Sequence, residues 1–223
     1  MGNAKVWEKV ASISNDRGEY WPELDSRVAT WNREEENFIK SSLRDARKRV
    51  LDLGCGDGRA LMWLKEKGFR ELYGLDISKT CIRRAKEKLG DSADLRVWDF
   101  KTGLPYEMKF DYVLLTGNTV INDLEKPAKL LEDVKGVMKD NGLLFITCWN
   151  GEFLTKKFVN SYYGKLGVVK VREVDMDNRT IDVGGIKVKW LVEKELRKII
   201  EDAGLEIVSL KKASLGFLCA VSR

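Results

Sequence analysis

Histidine is absent from the 223-residue chain, and so is glutamine. The first absence removes the commonest metal ligand and the commonest general base. Cysteine is sparse: Cys55, Cys81, Cys148 and Cys219 stand far apart, with no C-x-x-C pair and no spacing suited to zinc or an iron–sulfur cluster. They read as reduced thiols in or near the core, and no metal site is expected. No apolar run approaches membrane-spanning length, and no membrane partner is expected. The N-terminal stretch MGNAKVWEKVASISNDRGEY has no apolar signal core, and Val6 breaks a myristoylation match. A soluble, cytoplasmic protein is the expectation. A dominant charge is also missing: 40 basic residues face 35 acidic ones, intermixed, for a net charge of +5, which is weak evidence for nucleic acid. Oligomeric state is not legible.

What is present is an ordinary globular composition, 43% hydrophobic, long enough for one large domain or one domain with an appendage. The abundance of Lys, Arg and Glu is consistent with a thermophilic source. The chain is organised around VLDLGCGDGRALMWLKEKGFRELYGLD, residues 50–76. Val50, Leu51 and Leu53 predict a buried parallel strand. It ends in Gly54-Cys55-Gly56-Asp57-Gly58, after which Arg59 to Lys67 reads as a helix stopped by Gly68. A second apolar run, Leu72 to Leu75, closes on Asp76. This is the strand–glycine loop–helix–strand unit of a nucleoside site, with an acid about twenty residues on to hold ribose hydroxyls.

The spacing selects the nucleoside. A dinucleotide fingerprint is G-x-G-x-x-G, whereas here Arg59 takes the place of the third glycine. Asp52, two residues before Gly54, is a poor neighbour for pyrophosphate and a good one for a cation. S-adenosylmethionine carries a sulfonium and an ammonium and no phosphate. The pattern D-x-G-x-G-x-G followed by Asp76 resembles the class I S-adenosylmethionine-dependent methyltransferases, small-molecule type. The resemblance covers about residues 48–150 and 191–223. It implies an α/β fold: a seven-stranded, mostly parallel, doubly wound Rossmann-like sheet with an antiparallel C-terminal hairpin.

The resemblance also implies residue roles. The loop Gly54, Cys55, Gly56 and Gly58 would pack on the methionine part of the cofactor, with Asp52 near its amino group. Asp76, with Ile77 beside it, would hold the ribose. Asp99 would accept a hydrogen bond from the adenine amino group while Phe100 packs on the ring. Thr116 and Gly117, after the fourth strand, would sit beside the reacting methyl. The sequence there, TGNTVIND, lacks the Asn/Asp-Pro-Pro-aromatic quartet of base amino methylases and the Pro-Cys nucleophile of cytosine-C5 enzymes. Asn118, Asn122 and Asp123 are therefore assigned to an acceptor pocket, although Asn122 or Asp123 could equally cap the next helix. If the acceptor is a hydroxyl, the available bases are Asp123, a tyrosine such as Tyr20, or a lysine.

The remaining elements follow in order. Trp31 to Arg49 predicts an amphipathic helix with Trp31, Phe38, Ile39, Leu43 and Ala46 on one face and Thr30 or Asn32 as its cap. Residues 1–30 form a separate N-terminal segment, in which Tyr20, Trp21 and Arg27, together with Trp31, are either a lid or an anchor to the sheet. The methyltransferase domain is 31–223. Ser78 caps a helix that Gly90 ends; strands follow at Leu95–Trp98 and Phe110–Leu115, then a helix through Leu130 and Val134, and a strand after Asp140-Asn141-Gly142 from Leu143 to Trp149. Residues 151–190 depart from the minimal fold as an antiparallel meander with turns at Asp177-Asn178 and Gly184-Gly185, read as a substrate cap roofing the cleft. A helix from Val192 to Ala203 and strands Leu205–Leu210 and Phe217–Val221 close the chain.

Three functions compete at this stage. The favoured one is methyl transfer from S-adenosylmethionine, leaving S-adenosylhomocysteine, to an N or O atom of a small molecule. The second is RNA (tRNA) methylation, for which Lys156, Lys157, Lys170, Arg172, Lys187 and Lys189 would supply a basic face. The third is a non-catalytic partner protein that binds the cofactor.

Overall fold

The structure, a computed structural model, describes residues 2–13, 26–119, 127–153, 155–165, 171–183 and 186–223. Seven strands form the main sheet in the order β3-β2-β1-β4-β5-β10-β9: β1 (Val50–Leu53), β2 (Leu72–Asp76), β3 (Asp94–Val97), β4 (Phe110–Leu115), β5 (Met138–Trp149), β9 (Glu206–Lys212) and β10 (Gly216–Ser222). The first five are mutually parallel; β10 runs antiparallel to both β5 and β9. The expected sheet and hairpin are both present.

Strand alternation builds an apolar core on each face. Leu51 and Leu53 of β1, Val113 and Leu115 of β4, and Leu144 and Ile146 of β5 join one core with α5 (Pro127–Val137) and α7 (Glu193–Asp202). Val50, Leu114 and Phe145 point the other way, onto α3 (Arg59–Glu66) and α4 (Lys79–Leu89). Such near-continuous apolar strands are what a sheet covered on both sides requires.

The helix α2 (Ser26–Ser42) departs from its expected span. Its buried stripe is Val28, Trp31, Glu35 and Ile39, so it begins before Trp31, and Thr30, proposed as a cap, donates its hydroxyl to Ser26 O from inside the helix. A glutamate in the stripe hides the true register from a reading of apolar residues alone. The helix also stops earlier, where Asp45 accepts the Arg47 amide and makes a turn. It runs through residue 30, where the sequence reading divides the chain. Val28 and Trp31 belong to one core and Ile39 and Leu43 to the other, so α2 crosses over the carboxyl end of the sheet.

Residues 2–13, read as polar sequence with one aromatic, form α1 (Gly2–Ile13), which packs on α4. β5 starts earlier than expected: Met138 already pairs with Phe110, and Lys139 to Gly142 loop out before pairing resumes at Leu143–Tyr112. The inserted meander is present as β6 (Val171–Asp175), β7 (Thr180–Val183) and β8 (Ile186–Lys189), preceded by α6 (Lys156–Lys165). Ile181, Ile186, Val188 and Trp190 are buried in the same core as α5 and α7, so the insert is anchored to the domain. No helix among the described residues is long and apolar enough to cross a membrane.

Candidate functional site

The strand order reverses between β1 and β4, and open α/β sheets bind ligands in the crevice at such a point, outside the carboxyl ends of the strands. A cleft of about 650 Å³ lies there, its walls including Trp7, Gly54, Asp76, Ile77, Asp99 and Phe100. A smaller recess continues from it between the glycine loop and the end of β4, lined by Asp52, Cys55, Gly56, Arg59, Thr116 and Gly117 among others. Gly54 and Gly117 line both spaces.

The loop geometry explains its glycines. Gly54 has φ +74°, and a Cβ on it would lie 2.8 Å from Thr119 Oγ1. Its amide and that of Cys55 both donate to Leu75 O, at 2.8 and 3.0 Å, folding the loop onto the end of β2. Gly58, at φ +87°, leads into α3 against Leu89 and Ala85 of α4, where a side chain would collide.

Asp76 fixes the loop from the other side. Its Oδ2 accepts the Gly56 amide at 2.9 Å and its Oδ1 the Ser78 amide at 2.8 Å. Burial pushes its pKa up, while those amides pull it down. Ser78 caps α4 as expected, its hydroxyl oxygen accepting the Cys81 amide, and that hydroxyl donates to Glu8 of α1 at 2.8 Å. The Glu8 carboxylate also takes the Thr80 amide and hydroxyl. Burial works to raise the Glu8 pKa, but these hydrogen bonds prevail and lower it. Trp7, one residue away, thereby forms a wall of the cleft.

The recess holds the most unusual group. Asp52 is 1% exposed, and its Oδ1 has no hydrogen-bond partner. Burial pushes its pKa up to about 8; Arg59 pulls it down, and Glu35 and Asp76 push it further up. An orphaned buried carboxyl is costly, and a cationic ligand group would satisfy it.

A pH dependence follows. The folded-state pKa lies above the ordinary 3.8, so the contribution of Asp52 to stability is fully present below pH 3.8 and is lost as pH rises through about 8. Asp52→Asn should flatten that fall in a thermal-melting series. At pH 7 an ammonium arriving beside Asp52 should expel roughly one proton. Titrations of S-adenosylhomocysteine in buffers of different ionisation enthalpy measure that release, which should shrink at pH 9. Equal heats in all buffers at pH 7 would remove Asp52 from the amino subsite.

A model of the methyltransferase domain matches residues 21–210. The chain belongs to that family. It is 29% identical to EEF1A lysine methyltransferase 2 of Danio rerio, over 77% of this chain and 73% of that protein. The methyltransferase CcbJ of Streptomyces caelestis has a similar fold, with TM-score 0.70 at 16% identity and 97% of each chain covered. So has the 1,6-didemethyltoxoflavin-N1-methyltransferase of Burkholderia thailandensis, whose structure holds its small-molecule substrate and S-adenosylhomocysteine; the TM-score is 0.68 at 17% identity, covering 99% of this chain and 87% of that one. S-adenosylmethionine, the methyl donor this methyltransferase's glycine motif implies, suits the cleft: a carboxylate at β2 for hydroxyls, apolar walls for a base, and an unsatisfied acid for a cation.

The residues expected around the cofactor thus converge in the methyltransferase, from Asp52 through Gly117. Asp99 lines the cleft while its Oδ1 also accepts the Lys101 amide at 3.1 Å. Asn118 is 7% exposed, and its Oδ1 accepts the Trp149 amide at 2.6 Å, fastening the end of β4 to β5. Trp31, named with the lid residues, is fully buried and serves as an anchor. Trp7 of α1 is a further wall of the cleft. Tyr20, Trp21, Asn122 and Asp123 lie outside the described residues.

Glu35, Thr147 and Glu8 were missed. Glu35 is fully buried, accepts the Gly117 amide at 3.1 Å and the Thr147 hydroxyl, and pairs with Arg59 at 2.6 Å. The signal was there: a carboxylate in the apolar stripe of α2.

Proposed function

We propose that the protein moves the methyl group of S-adenosylmethionine to a nitrogen or oxygen atom of a small-molecule acceptor. The observation that carries the donor half is Asp52, a buried acid with an orphaned oxygen beside a glycine loop whose third fingerprint position is an arginine. In this reading the glycine loop holds the methionine part, Asp76 and Ile77 the ribose, and Asp99 and Phe100 the adenine, with Thr116 and Gly117 beside the reacting centre. The bound cofactor supplies an electrophilic methyl group on a sulfonium, so the leaving group is already good.

The chain's own work is then to orient, to exclude water and to manage a proton. Gly117 is held by two donor-stabilised contacts, its amide donating to Glu35 and to Thr147 Oγ1 at 3.0 Å, which fixes the loop edge where an acceptor would arrive. A neutral amine acceptor needs no dedicated base, and a chain without histidine is suited to that case. Residues 151–190 would cap the acceptor, and residues 1–30 would close the donor side. The small-molecule reading is supported by the whole-chain likeness to an enzyme that methylates one.

The RNA alternative is weakened by the charge pairing on the insert. Lys156, Lys157, Lys187 and Lys189 are the exposed basic positions among the described residues named for it, and Lys189 is paired with Glu195 at 3.0 Å. Lys170 lies outside the described residues, as does the side chain of Arg172.

The test is transfer of label from methyl-tritiated S-adenosylmethionine to a panel of small amines and phenols, to tRNA, and to a protein extract. Label in the small-molecule fractions is expected. Label confined to tRNA or to protein lysine would overturn the acceptor assignment, and no label with any acceptor, despite micromolar cofactor binding, would leave a binding protein.

A further inference from the structure

The donor cleft does not account for a second concavity. A groove of about 1010 Å³ runs between one flank of α2 and the β9–β10 hairpin, and no described residue lines both it and the donor cleft or recess. Glu34, Phe38 and Ser41, spaced four and three apart, form the α2 flank. The Phe38 ring is fixed edge to face against Phe145 of β5, with centroids 5.9 Å apart. Across from it, Leu218 and Lys211 are register partners on β10 and β9, so their side chains leave the sheet on the same face. The hairpin is pinned to the helix at its tip, where Glu34 Oε2 accepts the Ser214 amide at 2.9 Å and the Ser214 hydroxyl at 2.5 Å. The groove is therefore preformed, with an apolar floor of Phe38, Ala213 and Leu218.

Its polar groups are unequally engaged. Glu34 is taken up by Ser214, and Lys40 by Glu36 at 2.6 Å and Glu66 at 3.2 Å. Lys211 has no carboxylate partner among the described residues, and the side-chain amide of Asn37 has no partner there either. An apolar floor with one ammonium and one amide is the makeup of a small-molecule site, mostly apolar with a few convergent polar groups. Its complement is a single negative charge on an apolar body. A cation would face the unpaired Lys211, and a small inorganic ion would leave the floor uncovered.

We propose that this groove is a second ligand site, which takes a small organic anion: one carboxylate, sulfonate or phosphate group set on Lys211, with an apolar body lying on Phe38 and Leu218. The proposal does not depend on the S-adenosylmethionine reading above.

The probe is 8-anilinonaphthalene-1-sulfonate, a sulfonate on an aromatic body whose emission rises when it leaves water. It is titrated into the full chain as wild type, Lys211→Arg, Lys211→Glu and Ser41→Trp, with a melting curve on each to show that it is folded. Both substituted positions are exposed, so no core contact is removed. Wild type and Lys211→Arg should bind the dye within about threefold of each other. Lys211→Glu turns attraction into repulsion and Ser41→Trp fills the groove, so each should weaken binding by about tenfold or more. Saturating S-adenosylhomocysteine should leave the wild-type titration unchanged. No binding by wild type overturns the proposal, as does binding that either Lys211→Glu or Ser41→Trp leaves within about threefold of wild type. Displacement of the dye by S-adenosylhomocysteine would put it in the donor cleft and overturn the proposal too.

Discussion

Asp76→Ala should weaken S-adenosylhomocysteine binding by ~100-fold or more, with the protein still folded. The carboxylate does two jobs at once. It accepts the amides of Gly56 and Ser78, so its removal leaves two buried N–H groups without their acceptor and loosens the loop that carries the methionine part. It also presents, at the end of β2, the lone pairs proposed for the ribose hydroxyls. Asp76→Asn should fall between, losing about tenfold, because an amide oxygen replaces only part of the acceptor capacity. Calorimetry on both variants is the check. If the alanine variant bound the nucleoside within about threefold of wild type, the ribose assignment would be wrong, since loss of a charged acceptor cannot be that cheap.

Glu35→Ala should cost ~3–5 kcal/mol of stability, which in a chain of this size is a fall of roughly 6–20 °C in the melting temperature. The size comes from what is left behind. Arg59 would keep a charge with its carboxylate partner gone, the buried Thr147 hydroxyl would lose its acceptor, and the Gly117 amide would be left with Thr147 Oγ1 alone. This is the cost of breaking the network, and it exceeds what the ion pair contributes in net terms, because desolvating both charges is itself unfavourable. Glu35→Gln should be much milder, since its carbonyl still accepts from Gly117 and Thr147. Chemical denaturation of the two variants separates the cases; equal destabilisation by both would mean that charge, not hydrogen bonding, sustains the site.

Much of the fold could be read from local rules. The strand–glycine loop–helix–strand unit declared itself because glycines at φ above zero and an apolar strand leave a direct sequence imprint. The meander was visible in its alternation, and β9 and β10 in their turn-bounded runs. What stayed hidden were contacts between segments far apart in the chain. Glu35 meets Thr147 across 112 positions, and Glu8 meets Ser78 across 70, so nothing near either residue announces its partner. α2 was misplaced because its core stripe contains an acid, which a search for apolar periodicity reads as a break. α1 is a 12-residue helix stabilised by tertiary packing, and a segment that short has little intrinsic preference to reveal. The bond from the Trp149 amide to Asn118 Oδ1 is of the same kind, a contact across 31 positions that nothing beside Asn118 announces.

The Glu8 contacts carry one more consequence. Glu8 accepts from the Ser78 hydroxyl, the Ser78 amide donates to Asp76, and Asp76 accepts the Gly56 amide, so an unbroken series of hydrogen bonds joins the first helix to the glycine loop. Local opening in proteins proceeds in cooperative units, and here the unit is assembled from three places in the chain. Gly56 and Ser78 should therefore exchange their amide hydrogens at a common rate, set by the departure of α1. The nucleoside end of the cleft is in this sense a single foldon, and its first twelve-residue helix is as much a part of it as the loop itself.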